Sequence, residues 1–196
     1  MAEPLADQVL RKIGEARELF HRLILMVGPA GSGKTSALQE VSASTSAPLV
    51  NVNLELSRRM LDLTERQRAL QLTRLLGEIV REATGELVLL DNIEILFDVH
   101  LKQDPLRLLQ GLSRNKTVVA AWNGSIVDGH MTYAVPDHPE YRRYPIRDYR
   151  VVGSKMCVLK NRVISMTRGH RQTRPHKHMG KSTSSNFHVD GGHERL

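Results

Sequence analysis

Apolar residues along this chain fall into two patterns: short solid runs, and longer stripes spaced by three and four. Leu23–Val27 is a solid run closed by Gly28 and Pro29, as expected of a strand buried on both faces. "ELVLLD" repeats the pattern and ends on Asp91, and "TVVAAWNG" repeats it again, ending on Asn123 and a glycine turn. Pro48 introduces "LVNVNLEL", whose alternation predicts a second strand from about Leu49 to Leu54. "MTYAV" and "DYRVV" predict further strands, with "PDHPEYRRYPIR" read as a loop between them. Among the stripes, Leu5, Val9, Ile13, Ala16 and Phe20 predict a leading amphipathic helix weakened at Gly14. A second helix is expected from Gly33 to about Ser42. The clearest is "TERQRALQLTRLLGEIVREAT", with Thr64 as N-cap, Gln67 three residues on, and Leu72, Leu75, Leu76, Ile79 and Val80 as its apolar face. Asp104-Pro105 opens another helix, through about Leu112.

Strands alternating with helices argue for an α/β layer fold with a mainly parallel sheet. The first strand runs into "GPAGSGKT", in which Gly28, Gly33, Lys34 and Thr35 match G-x-x-x-x-G-K-[ST]. The glycines let backbone N–H groups of Pro29–Ser36 segment residues such as Ala30, Gly31 and Ser32 turn inward around phosphates without a Cβ in the way. The helix that follows, with Ser36 in its first turn, adds the positive end of its dipole. Lys34 is the point charge for the β- and γ-phosphates of ATP, and the Thr35 hydroxyl is a ligand for Mg²⁺. A loop that follows a buried strand and opens a helix is the context this motif requires.

Asp91, at the end of its own buried strand, is the second metal-site candidate. One strand and one long helix separate it from Lys34, so the two motif strands should not be neighbours. The Asn123 strand fits between them, which would put Asn123 where a polar side chain meets the γ-phosphate or the attacking water. An Asn in an ordinary Asn-Gly turn is the plain alternative. Hydrolysis also needs a residue that orients water, and the position after Asp91 is Asn92 instead of an acid. Glu94, two residues further on, and Glu55, at the end of the expected second strand, are the candidate bases, each equally readable as a surface or capping acid. Arg114, Arg142 and Arg143 are candidates for an arginine supplied across an oligomer interface.

The charge pattern divides the chain. The formal charge of +7 at pH 7 suggests a nucleic-acid binder until it is located. Residues 1–152 hold 19 basic and 19 acidic residues, whereas residues 153–196 hold nine basic against two acidic ones. The body is neutral and the excess belongs to a tail of Ser, His, Lys, Arg and Gly, a composition expected to be disordered. That tail reads as a solvated extension or as a non-specific nucleic-acid arm; His170, His176 and His178 lack the regular ligand spacing of a metal site. The expected organisation is a helix at 1–22, a P-loop ATPase domain at 23–152 without a separate lid domain, and a basic tail at 153–196. The single cysteine, Cys157, excludes an intrachain disulfide. No apolar run approaches the ~20 residues of a membrane span, and "MAEPLADQVLRK" lacks a basic leader, so a cytoplasmic protein without membrane attachment is expected.

"GPAGSGKT", "NVNLELS", "LLDNIEILF", "QDPLRLLQGLSRN", "AAWNG" and "HPEYRRYP", in that order over about Leu23 to Arg150, carry a family likeness. In them the body resembles BrxF, a family of small P-loop proteins from type 3 BREX bacteriophage-exclusion systems. The resemblance implies a compact AAA-like ATPase domain, in a three-layer P-loop fold, working beside other defence proteins, among them a larger ATPase, a DNA methyltransferase and a phosphatase-like protein. The resemblance also implies that Asn92 is the family's own usage. A homo-oligomer, in which a neighbour completes the site, is a separate expectation. The resemblance leaves the water-activating acid open. A non-hydrolysing nucleotide-gated scaffold or DNA-binding regulator, and a small nucleotide kinase, are the competing readings of the same loop.

Overall fold

The computed structural model describes residues 3–153. Expectations about the tail, including the basic arm and His170, His176 and His178, lie outside the described residues. In chain order the elements are α1 (Leu5–Ala16), β1 (Leu23–Gly28), α2 (Lys34–Thr45), β2 (Leu49–Asn51), α3 (Val52–Arg59) and α4 (Glu65–Glu82). β3 (Leu87–Asp91) follows, then two short 3-10 turns at Ile93–Phe97 and Val99–Leu101, and α5 (Pro105–Leu112). β4 (Thr117–Val127), β5 (His130–Tyr133), β6 (Arg142–Pro145) and β7 (Arg150–Gly153) complete the described chain.

Five strands lie in the order β2-β3-β4-β1-β7, with parallel pairing throughout. As expected, β4 separates the P-loop strand β1 from the Asp91 strand β3. The alternation within β1 explains the layers. Leu23, Leu25 and Val27 face one core with Leu76, Leu90 and Trp122, beneath α3, α4 and α5. Ile24 and Met26 face the other with Val9, Leu38 and Val41 of α1 and α2. A strand buried on both faces must be apolar at every position, which is why β1 is a solid run. Each fully buried Leu or Ile contributes roughly 1.5–3 kcal/mol relative to exposure.

β4 outruns the parallel sheet. Its last four residues pair antiparallel with β5, and β5 pairs antiparallel with β6, so a three-stranded meander grows from the strand that carries Asn123. Phe97, Trp122 and Tyr133 anchor it: Phe97 and Tyr133 stack with centroids 3.5 Å apart, and Phe97 meets Trp122 edge-on at 4.8 Å. Trp122 Nε1 donates to the carbonyl of Thr132 at 2.9 Å.

Three expectations are corrected. The second strand stops at Asn51, because the Asn51 side chain accepts from the Leu54 N–H at 3.0 Å and starts α3. The alternation of Val52, Leu54 and Leu56 was a period-four pair in disguise, with Val52 and Leu56 buried and Leu54 46% exposed. Glu55 therefore sits in the first turn of a helix, not at a strand end. The presumed loop after "MTYAV" contains β6, an edge strand whose charges and terminal proline disguise it. The leading helix ends at Ala16, and Phe20 is exposed beneath the Arg114 guanidinium.

The longest helix forms where its cap predicts. Thr64 Oγ1 accepts from the Gln67 N–H while the Gln67 side chain accepts from the Thr64 N–H, a reciprocal capping box. Thr64→Ala should cost about 1 kcal/mol, read from the denaturant midpoint at unchanged slope.

Candidate nucleotide site

The site is built at the carboxyl ends of three adjacent strands. β1 ends at Gly28, which lies opposite Asn123 of β4. β3 ends at Asp91 on the far side of β4. Between Gly28 and α2 the loop turns on Gly31 and Gly33, with φ of +74° and +85°, a conformation that side chains with a Cβ resist. Gly33 thereby aims the N-terminus of α2 at the space in front of the loop.

Lys34 is 7% exposed, and its ammonium donates to the carbonyls of Gly28 at 2.9 Å and Pro29 at 2.7 Å and to Ser32 Oγ at 3.3 Å. Those contacts compensate a charge taken out of water and hold it against the loop. The Ser32 N–H reaches the Pro29 carbonyl at 3.3 Å, closing the turn.

A cavity of about 350 Å³ opens in front of this loop. Ala30, Gly31, Gly33, Lys34, Thr35 and Ser36 form one wall, and Asp91, Asn92, Glu94, Ala121 and Asn123 form the other. Gly28, Pro29 and Ser32 contribute through their contacts with Lys34. Asp91 is 7% exposed and accepts from the Asn92 N–H at 2.9 Å. The Asn123 amide donates to Glu94 Oε1, which ties the two side chains together across the cavity wall.

Asn92 explains how Glu94 arrives there. Its backbone is left-handed, at φ +51°, and its carbonyl accepts from the Asn53 N–H at 3.0 Å, so the chain reverses at once into the Ile93–Phe97 turn. Asn tolerates that conformation better than most residues with a side chain. Glu94 falls in the first turn and Ile93 and Phe97 are buried. Sequence reasoning treated Asn92 as a missing acid; the Asp-Asn pair ahead of an apolar stretch was the available sign of a turn.

The other candidates are elsewhere. Glu55 pairs with Arg58 at 3.2 Å and is not among the cavity-lining residues. Arg142 donates to the Tyr141 carbonyl at 2.9 Å, and the exposed Arg143 lies 3.2 Å from His130 Nδ1.

Thr35 and Asp91 fit Mg²⁺. An ion that keeps several waters and takes its other ligands from phosphate needs only one or two protein oxygens, and a hydroxyl and a carboxylate face the same cavity here. Among the described residues no cluster of three or more His, Cys, Asp or Glu side chains forms an all-protein cage.

A second cavity of about 390 Å³ shares Ala30 and Asn123 with the first and is bounded by the β4–β5 hairpin. Its Tyr133 hydroxyl is pushed up to about 12 by burial, with the Glu140 carboxylate adding to the shift. Gly124 lies on that wall, where an added Cβ would collide with the Thr132 backbone. Gly124→Ala should therefore destabilise the fold by ~1–3 kcal/mol and displace Asn123 with the hairpin. Thermal denaturation reads the first effect, and weakened nucleotide affinity reads the second.

No curated protein matches the chain. Two solved structures are similar in part. PCH-2 of C. elegans is 21% identical at a TM-score of 0.33, over 63% of this chain and 36% of that one. A chain of the Drosophila ORC bound to DNA is 17% identical at a TM-score of 0.38, over 77% of this chain and 43% of that one. The chain thus spans less than half the length of each. Among the described residues no helix is long and apolar enough to cross a membrane. Residues 24–120 match the model of the ATPase family associated with various cellular activities, a span that runs from β1 through Asp91 and Glu94 into β4. Over those residues the chain is similar to AAA-family ATPase domains.

Proposed function

We propose that this protein binds ATP with Mg²⁺ in the cavity between the Gly28–Thr35 loop and Asp91, and hydrolyses it. The observation that carries the reading is the single cavity whose opposite walls hold Lys34 with Thr35 and Asp91 with the Glu94–Asn123 pair. Lys34 and the inward backbone N–H groups neutralise phosphate charge. Thr35 and Asp91 would hold Mg²⁺, which would supply positive charge to the phosphates. Glu94 takes the proton as water oxygen bonds to the γ-phosphorus, and the bond from that phosphorus to the ADP oxygen breaks. Asn123, donating to Glu94, sets the orientation of its carboxylate.

The test is steady phosphate release by the purified chain with Mg-ATP, alone and with duplex DNA, oligomeric state being recorded by light scattering. Turnover under either condition supports hydrolysis. Nucleotide binding without release under both would replace it with the scaffold reading, for which Asn92 beside Asp91 is the supporting observation.

The ordered motifs that resemble BrxF support a place as an ATPase switch or motor subunit in a BREX-type phage-defence complex, as a homo-oligomer with other defence proteins as partners. Co-purification with proteins encoded beside it, lost or gained with nucleotide, tests this. The nine basic residues after position 152 support nucleic-acid contact through the tail. Truncation after Gly153 should weaken binding of labelled duplex DNA and flatten its salt dependence while sparing ATP affinity. Undiminished DNA binding by the truncated chain would remove the tail from that role.

A further inference from the structure

A groove of about 590 Å³ opens between α4 and α5, larger than the phosphate cavity and separate in its lining. Leu108 and Leu112, only partly buried despite packing on the core, give it an apolar floor above the fully buried Leu76. Gly111, on the exposed wall, has open space where a Cβ would stand. Glycine is the poorest helix former after proline, so its place in α5 favours close approach over helix stability.

The charges around the groove are segregated. The acids of α4 are committed elsewhere: Glu78 to Arg74 at 2.7 Å, Glu82 to Arg59 of α3 at 2.6 Å, and Glu65 to His100 at 3.2 Å. On the groove rim, Lys102 and Arg107 make no ion pair among the described residues. Asp104, the acid on that rim, accepts from the Arg107 N–H at 2.9 Å as the cap of α5. The result is a leucine floor bordered by two cations and one helix-capping carboxylate.

We propose that this groove docks an acidic amphipathic helix of a partner protein, its apolar stripe on Leu108 and Leu112 and its carboxylates toward Lys102 and Arg107. Two helix walls and a leucine floor suit the helix-in-groove mode, in which apolar anchors at helical spacing supply affinity. The unpaired rim cations select the partner's sign and speed its encounter. The proposal is independent of the nucleotide reading, because no residue is shared between the two sites.

The test uses the full chain and two fluorescein-labelled synthetic helices with the same leucine stripe, one bordered by glutamate and one by lysine, read by anisotropy. The glutamate helix should bind at least about tenfold more tightly than the lysine helix. Gly111→Leu, which fills the groove at an open helical position, should weaken the glutamate helix about tenfold or more without lowering the melting temperature. The double variant Lys102→Glu with Arg107→Glu should reverse the preference. Equal binding of the two helices, no binding of either, or affinity unmoved by both variants would overturn the proposal. Duplex DNA that competes with the glutamate helix, and loses affinity through the same variants, would overturn it in favour of a nucleic-acid surface.

Discussion

Lys34→Ala is expected to weaken Mg-ATP binding by about a hundredfold to a thousandfold, measured by titration calorimetry. The magnitude follows from what the ammonium does before any ligand arrives. It is 7% exposed and held by the Gly28 and Pro29 carbonyls and Ser32 Oγ, so its position costs little further ordering when phosphate binds. Charge-assisted hydrogen bonds to phosphate oxygen contribute ~1.5–3 kcal/mol each, and losing two near the lower end of that span, about 3–4 kcal/mol together, gives the stated range. The variant should stay folded, since alanine is the best helix former at the first residue of α2. Unchanged affinity in a protein with an unchanged melting temperature would remove the loop from nucleotide binding. Lys34→Arg should also bind poorly, because a rigid planar fork cannot repeat contacts made by a compact ammonium to two carbonyls.

Much of the fold was legible because its strands are buried on both faces. β1, β3 and β4 are solid apolar runs, and a solid run ending in glycine, acid or amide gives both the strand and the functional end of it. The order of motifs along the chain was enough to place β4 between β1 and β3. Local hydrogen bonding was harder to read. "LVNVNLEL" carries both a period of two and a period of four, and the Asn51 side chain decides between them by capping α3. That one cap moved Glu55 from a strand end to a helix, where it pairs with Arg58. β6 was hidden by its arginines and proline, the same features that keep an edge strand from pairing further.

The site divides in the same way. Gly28 to Thr35 and Asp91 were readable because phosphate chemistry needs those residue types at fixed spacing. The Glu94–Asn123 contact joins residues that are distant in sequence, through a reversal at Asn92 that no spacing rule encodes. The absent acid at position 92 made the metal strand look incomplete. The left-handed Asn92 instead brings the next acid, Glu94, to the same cavity.

Glu94→Gln is therefore the substitution that should separate binding from turnover. A carboxylate that accepts the proton from water accounts for about a hundredfold to ten-thousandfold in rate, and the amide cannot accept it. Single-turnover phosphate release should fall by that factor while Mg-ATP affinity stays within about threefold of the parent. The replacement is nearly isosteric, and its carbonyl oxygen can still accept from the Asn123 amide, so the cavity wall keeps its shape. Asn123→Ala should cost less, because it frees the Glu94 carboxylate to rotate but leaves the base present. Glu55→Gln provides the decisive contrast: its carboxylate is engaged with Arg58 outside the cavity, and its loss should change turnover by less than about twofold, as exposed ion pairs contribute little. If Glu55→Gln abolished release and Glu94→Gln did not, the base would have to come from α3. Equal, small effects of both would mean that the proton leaves through neither carboxylate, and the assignment of Glu94 would fall while the Lys34 cradle stood.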